Sequence, residues 1–104
     1  MANLYEKIPS DLPEELIETL ASARGARIER IVSRGHASAP GFWYDQPNDE
    51  FVLVVQGRAG LRIEGKEEIV VLAAGDYMVL GAGVRHRVEW TDGAGETIWL
   101  AVHY

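Results

Sequence analysis

From Ala26 to the C-terminus the chain is broken into short segments rich in β-branched and aromatic residues, with turn-forming residues between them. The segments are Arg27–Ser33, Phe42–Gln46, Phe51–Gln56, Leu61–Glu64, Ile69–Leu72, Asp76–Leu80, His86–Thr91 and Thr97–His103. Pro40-Gly41, Gln46-Pro47-Asn48, Gly57, Gly65-Lys66, Gly75-Asp76, Gly81-Ala82-Gly83 and Asp92-Gly93-Ala94-Gly95 supply the turns. Several short strands at this spacing indicate an all-β sandwich or barrel. With 104 residues there is room for one core of this kind and not for a second.

Ahead of the strands lies a leader, residues 1–25, that reads as helical. Asp11 stands three residues before Glu14, with Pro13 between them, in the manner of a capping box. Leu16, Ile17, Leu20 and Ala21 then make a narrow apolar stripe opposed by Glu14, Glu15 and Glu18, and Gly25 is placed to end the helix. Such a helix packs on the outside of a sheet, or serves as a lid or partner contact. The expected organisation is therefore a helical leader over 1–25 and a β-barrel over 26–104.

Composition narrows the function. Hydrophobic residues are 47% and charged residues 25%, the usual globular mix. There is no cysteine, so a disulfide framework and a thiolate metal site are both excluded, and any metal must be held by nitrogen or oxygen. The net charge of −6 makes the chain a poor partner for a nucleic-acid backbone. The acidity is uneven: residues 1–40 hold five basic and six acidic groups, residues 41–104 five and ten. No apolar run reaches the roughly 18 to 20 residues that span a bilayer. Acids and prolines interrupt what would be the apolar part of a signal peptide, so a cytoplasmic location is expected.

Alternation assigns faces. In His86–Thr91, His86, Val88 and Trp90 share one face while Arg87, Glu89 and Thr91 share the other, so His86 is expected to point inward with its apolar companions. Phe51–Val55 and Ile98–Val102 are apolar on both faces and need cover on both, from the leader or from a second subunit; a homodimer is expected. If Glu50 opens its strand facing inward, Val52 and Val54 follow it, and a carboxylate at the mouth of an apolar interior needs a metal, a donor or a cation beside it. Inward His86 is a candidate for the same site, although Glu50 could instead pair with Arg85 or Arg87 at a barrel rim. One imidazole and one carboxylate, with amide and phenol oxygens nearby, form an incomplete N/O ligand set. His36 is expected to be solvated, and His103, beside the C-terminus, to lie at the surface or an interface. Trp43, Trp90 and Trp99 either line a pocket or fill core and dimer contacts. No Gly-x-Ser-x-Gly elbow is present, and no serine falls after Gly41.

Two spacings in this region resemble the motifs of the cupin family. Glu50, six residues and Gly57 match the second half of the family's first motif; Gly75, five residues, Gly81-Ala82-Gly83, two residues and His86 match its second motif, with Gly81 in place of proline. The resemblance covers roughly residues 35–104 and implies a double-sheet jelly-roll barrel. It also implies a metal shell at Tyr44, Gln46, Glu50 and His86. Here the two histidines of the first motif are replaced by Tyr44 and Gln46, leaving Glu50 and His86 as the strong ligands. Gln46 can coordinate through its amide oxygen, and Tyr44 either as phenolate or not at all, acting then as a proton donor. The resemblance thus implies a divalent-metal pocket (Fe, Mn, Ni or Zn), as in a metal-dependent small-molecule enzyme, or a binding module for a small sugar or organic acid that has lost its metal.

Overall fold

The computed structural model describes residues 1–104 as eight strands and no helix. They are β1 (Leu16–Ala23), β2 (Ala26–Ser33), β3 (Glu50–Gln56), β4 (Arg58–Ile63), β5 (Val70–Ala73), β6 (Tyr77–Leu80), β7 (His86–Thr91) and β8 (Thr97–His103). A five-stranded sheet in the order β1-β2-β8-β3-β6 faces a three-stranded sheet in the order β5-β4-β7, and every pairing is antiparallel. This is the expected all-β jelly-roll barrel. Its core is the set of alternate residues that both sheets turn inward: Val52, Val54, Ala59, Leu61, Ile63, Leu72, Leu80, Trp99 and Ala101.

The helical leader is not found. Residues 16–23 form strand β1, the edge partner of β2, and the division at residue 25 falls inside a hairpin. Arg24 and Gly25, with φ of 53° and 81°, make its two-residue turn, the mirror-image type whose twist suits paired strands. The glycine that would end a helix closes a hairpin equally well, because both need a positive φ. A strand also satisfies the free edge of β2 and brings Glu18 onto Arg30, which a helix would not. Ile17 and Leu20, half of the supposed apolar stripe, remain about half exposed.

Residues ahead of β1 run over the outer face of the larger sheet. Arg30, only 4% exposed, donates to the carbonyls of Leu4 and Glu6, and Arg34 to those of Pro9 and Ser10. Val32 and Ile98, which face away from the barrel, are buried on that side. Two other expectations change. Phe42–Gln46 is not a strand; it contributes one bridge, Tyr44 to His86. Trp90 does not follow Val88 inward. Gly60 pairs with Trp90 but Leu61 pairs with Val88, so Glu89 is an extra residue that reverses the alternation and turns Thr91 into the interior. The Trp90 indole then lies against Gly60, where a Cβ would come within 2.3 Å of its nitrogen. No helix is long and apolar enough to cross a membrane.

Candidate functional site

Three main-chain links bring the two motif regions together. Tyr44 N–H donates to the His86 carbonyl at 2.7 Å, His86 N–H donates to the Tyr44 carbonyl at 3.1 Å, and Gly83 N–H donates to the Gln46 carbonyl at 2.8 Å. Asp49 fastens the same turn: its Oδ1 accepts from Ala82 N–H, and its carbonyl accepts from Tyr104 N–H. Cross-strand pairing then faces Tyr44 and His86 the same way, with their rings stacked 5.3 Å apart.

Glu50 opens β3 and His86 opens β7, one on each sheet, and both are buried. His86 Nε2 stands 3.4 Å from Glu50 Oε1. The other ring nitrogen of His86, Nδ1, donates to the Val84 carbonyl at 3.1 Å, so Nε2 faces the carboxylate with a proton in the imidazolium and with a lone pair in the neutral ring. Two lone pairs facing each other in a buried site repel unless a proton or a cation lies between them. Glu50 Oε1 has no hydrogen-bond partner, and neither does the buried Gln46 Oε1.

His103 is the largest correction to the sequence reading. It is 7% exposed and points into the barrel. Its Nε2 donates to Glu29 Oε1 at 2.8 Å and lies 4.0 Å from Glu50 Oε2. The register explains this, since Arg27, His103, Glu50 and Leu80 are successive partners across β2, β8, β3 and β6 and share the inner face. Arg27 completes the row by donating to Glu29 at 2.9 Å. The signal was in the sequence: His103 alternates with Trp99 and Ala101 on β8, and Glu29 with Ile31 on β2.

A cavity of about 40 Å³ is lined by Glu15, Ile31, Tyr44, His86, Val88, Trp99 and core aliphatics. It is large enough for a water or a small ion and not for a sugar. Trp99 Nε1 is buried without a partner. Outside it, a vestibule of about 280 Å³ is bounded by Glu14, Glu15, His36, Ser38, Phe42 and Tyr44. Glu15 and Tyr44 belong to both spaces. His36, expected in solvent, is half-buried here, with its Nδ1 accepting from Arg34 N–H. Burial raises the Glu15 pKa, opposed by the hydrogen bond from Ser33 and by His36. Burial, followed by the charges of Glu15, Glu50 and Glu29, pushes Tyr44 up to about 12, so it remains a phenol at neutral pH.

These contacts supply only part of a metal's donor set. No group of three or more His, Asp or Glu side chains is close enough to hold an ion. His86 and Glu50 alone have the spacing of two ligands on one ion, about 3 to 3.4 Å. Gln46 Oε1, buried without a partner, is an oxygen donor of a different type, brought to this end of the barrel by the bond from Gly83 N–H to the Gln46 carbonyl.

A jelly-roll barrel with a polar cluster at its mouth defines the cupin class, and comparison agrees. The family model described as Cupin domain matches residues 31–103, and the chain belongs to that family. Among solved structures, it is similar to a Ralstonia eutropha protein described as a proposed mannose-6-phosphate isomerase. The two are 48% identical with a TM-score of 0.95, over 99% of this chain and 95% of that one. It also shares its fold with an RmlC-like cupin family protein from Methanocaldococcus jannaschii, at 16% identity and a TM-score of 0.71, over 93% of this chain and 85% of that one. A conserved protein from Klebsiella pneumoniae with a double-stranded β-helix domain gives 17% identity and a TM-score of 0.80, over 99% and 87% of the two chains. No functionally curated protein matches the chain.

Proposed function

We propose that this cupin binds a divalent cation between His86 and Glu50, with Gln46 as third donor, and presents it to a small molecule entering past Glu15 and Tyr44. The observation that carries this reading is the contact of His86 Nε2 with an otherwise unpartnered Glu50 oxygen. Iron, manganese, nickel and zinc all accept this mixed N/O set. Bound there, such an ion would act as a Lewis acid toward an oxygen of the ligand. The chain's own groups supply the rest: Val84 orients His86, and Tyr44 offers a proton or a hydrogen bond from a phenol that stays neutral. The name of the Ralstonia relative points to a phosphosugar, but a ligand of that size needs the vestibule as well as the inner cavity. A metal-free binding module is the second reading, favoured by Tyr44 and Gln46 standing where the motif has histidines. A cytoplasmic location is part of this proposal, since the absence of cysteine removes one reason to expect an oxidising compartment.

Metal analysis of protein purified without an affinity tag tests the reading. Near-stoichiometric divalent metal is expected in the wild type and in Tyr44→Phe, and almost none in His86→Ala, which removes one of the two strong ligands. A wild type that takes up no added Fe, Mn, Ni or Zn refutes metal binding and leaves the binding module.

We also propose a homodimer through the outer face of the five-stranded sheet. Ile28, Val102, Phe51 and Val79 are successive cross-strand partners and form one apolar row. Val79 and the neighbouring Tyr77 are 53% and 66% exposed. Light scattering is expected to give twice the 11.5 kDa chain mass, and Val79→Glu the chain mass itself. A wild type that scatters as a single chain at micromolar concentration ends this proposal.

A further inference from the structure

The vestibule carries charge information that the metal reading does not use. Glu14 lines the vestibule and Glu15 lines both it and the inner cavity, whose His86 faces the carboxylate of Glu50. No Lys or Arg lines either space. The guanidinium groups behind the vestibule wall are already paired. Arg34 binds Glu96 and the carbonyls of Pro9 and Ser10, and Arg87 binds Glu89 and the carbonyls of Ser38, Ala39 and Phe42. An entering anion meets carboxylates at the mouth and no lysine or arginine in the lining; the lining groups able to carry positive charge are His36, beside Glu15, and His86, which faces Glu50.

Polar groups inside specify the other end of the ligand. Trp99 is 3% exposed, lines the inner cavity, and its indole N–H has no acceptor. A buried donor of this kind calls for an oxygen from the ligand. Tyr44, which lines the same cavity, offers a second donor. At the mouth, the edge-to-face rings of Phe42 and Tyr44, 4.8 Å apart, give a surface that suits sugar-like C–H faces or an ammonium group.

We infer that the vestibule and inner cavity form one ligand site that selects a small hydroxyl- or carbonyl-bearing molecule, uncharged or ammonium-bearing at its outer end, over a phosphate ester. This deepens the proposed function and rests on its choice of the cavity as the ligand site, but not on the metal. It separates this chain from the phosphosugar named for its Ralstonia relative.

The test uses the full chain stripped with chelator, so that the result does not depend on metal uptake. D-mannose, D-glucosamine and mannose 6-phosphate are titrated separately, and the Trp99 indole N–H resonance is followed by NMR, assigned by its loss in Trp99→Phe. Mannose and glucosamine are expected to move this resonance at millimolar concentration, glucosamine more tightly and with affinity that falls as salt rises. Mannose 6-phosphate is expected to leave it in place. In Glu14→Gln/Glu15→Gln, glucosamine is expected to bind about tenfold more weakly while the phosphate ester gains. The amide introduced by Glu15→Gln keeps an acceptor for the Ser33 hydroxyl, which preserves the local fold. Mannose 6-phosphate binding as tightly as mannose to the wild type overturns the inference, and so does a resonance that no probe moves. Failure of metal binding appears only in the metal analysis above.

Discussion

Gly57→Ala is expected to lower stability by about 3 kcal/mol or more and the thermal midpoint by about 12 to 24 °C. Two costs combine. Gly57 turns the chain from β3 into β4 at a φ of +87°, a conformation that L side chains rarely adopt. A Cβ placed there would stand 2.5 Å from Thr97 Oγ1, 2.8 Å from Thr97 Cα and 2.9 Å from the Glu96 carbonyl oxygen. Two of those atoms are main chain at the start of β8, so a rotamer change cannot relieve the overlap. Gly65→Ala is the control: its φ is +89° and nothing lies within 4 Å of the new Cβ, so only the backbone cost of about 1 to 2 kcal/mol applies. Equal losses in the two variants, read from chemical denaturation, would show that the approach of Thr97 contributes nothing.

The same residue shows why part of the site was legible. In the Glu50–Gly57 spacing, the glycine is demanded by the positive φ where the chain passes from β3 in one sheet to β4 in the other, and the glutamate by the inner face of β3, so both can be read along one strand and its end. The Gly75–His86 spacing is local in the same way: the Gly81–Gly83 turn receives the Gln46 carbonyl and delivers His86 to the mouth. Alternation turns His86 inward, the motif spacing singles out Glu50 without fixing its face, and the structure sets the two 3.4 Å apart. What was not legible depends on pairing between distant segments. His103 meets Glu29 and Glu50 only because β8 lies between β2 and β3 in the sheet, an order that no local pattern encodes. Strand β1 resembles a helix in sequence because eight residues with few apolar positions fit either period, and the free edge of β2 decides between them. Trp90 was misplaced because one extra residue at Glu89 reverses every face after it.

The buried Glu50–His86 pair is expected to respond asymmetrically to mutation, in protein stripped of metal. His86→Ala removes the stacked ring from Tyr44 and leaves Glu50 Oε1 against an apolar cavity, with only His103 at 4.0 Å, itself bound to Glu29. An uncompensated buried carboxylate of this kind costs about 3 kcal/mol or more. Glu50→Gln costs less, about 1 kcal/mol, because an uncharged amide takes its place and His86 can shed its proton. The double variant should therefore be more stable than His86→Ala alone, a coupling read directly from a double-mutant cycle. Dependence on pH supplies the sharper test. Burial opposes the His86 imidazolium, but the Glu50 carboxylate and the Val84 carbonyl overcome it, so the pKa rises from the ordinary 6.5. A raised folded-state value means that the stabilisation is complete below 6.5 and is lost as pH rises through the folded-state value. In Glu50→Gln the carboxylate is gone and burial prevails, so the His86 contribution changes sign and grows as pH rises through the histidine range. Urea denaturation across that range, wild type against Glu50→Gln with Glu50→Gln/His86→Ala as the baseline, reads the two slopes. Parallel slopes, or a Glu50→Gln loss as large as that of His86→Ala, would mean that the carboxylate and the imidazole do not share a proton, and the case for a cation between them would lose its physical basis.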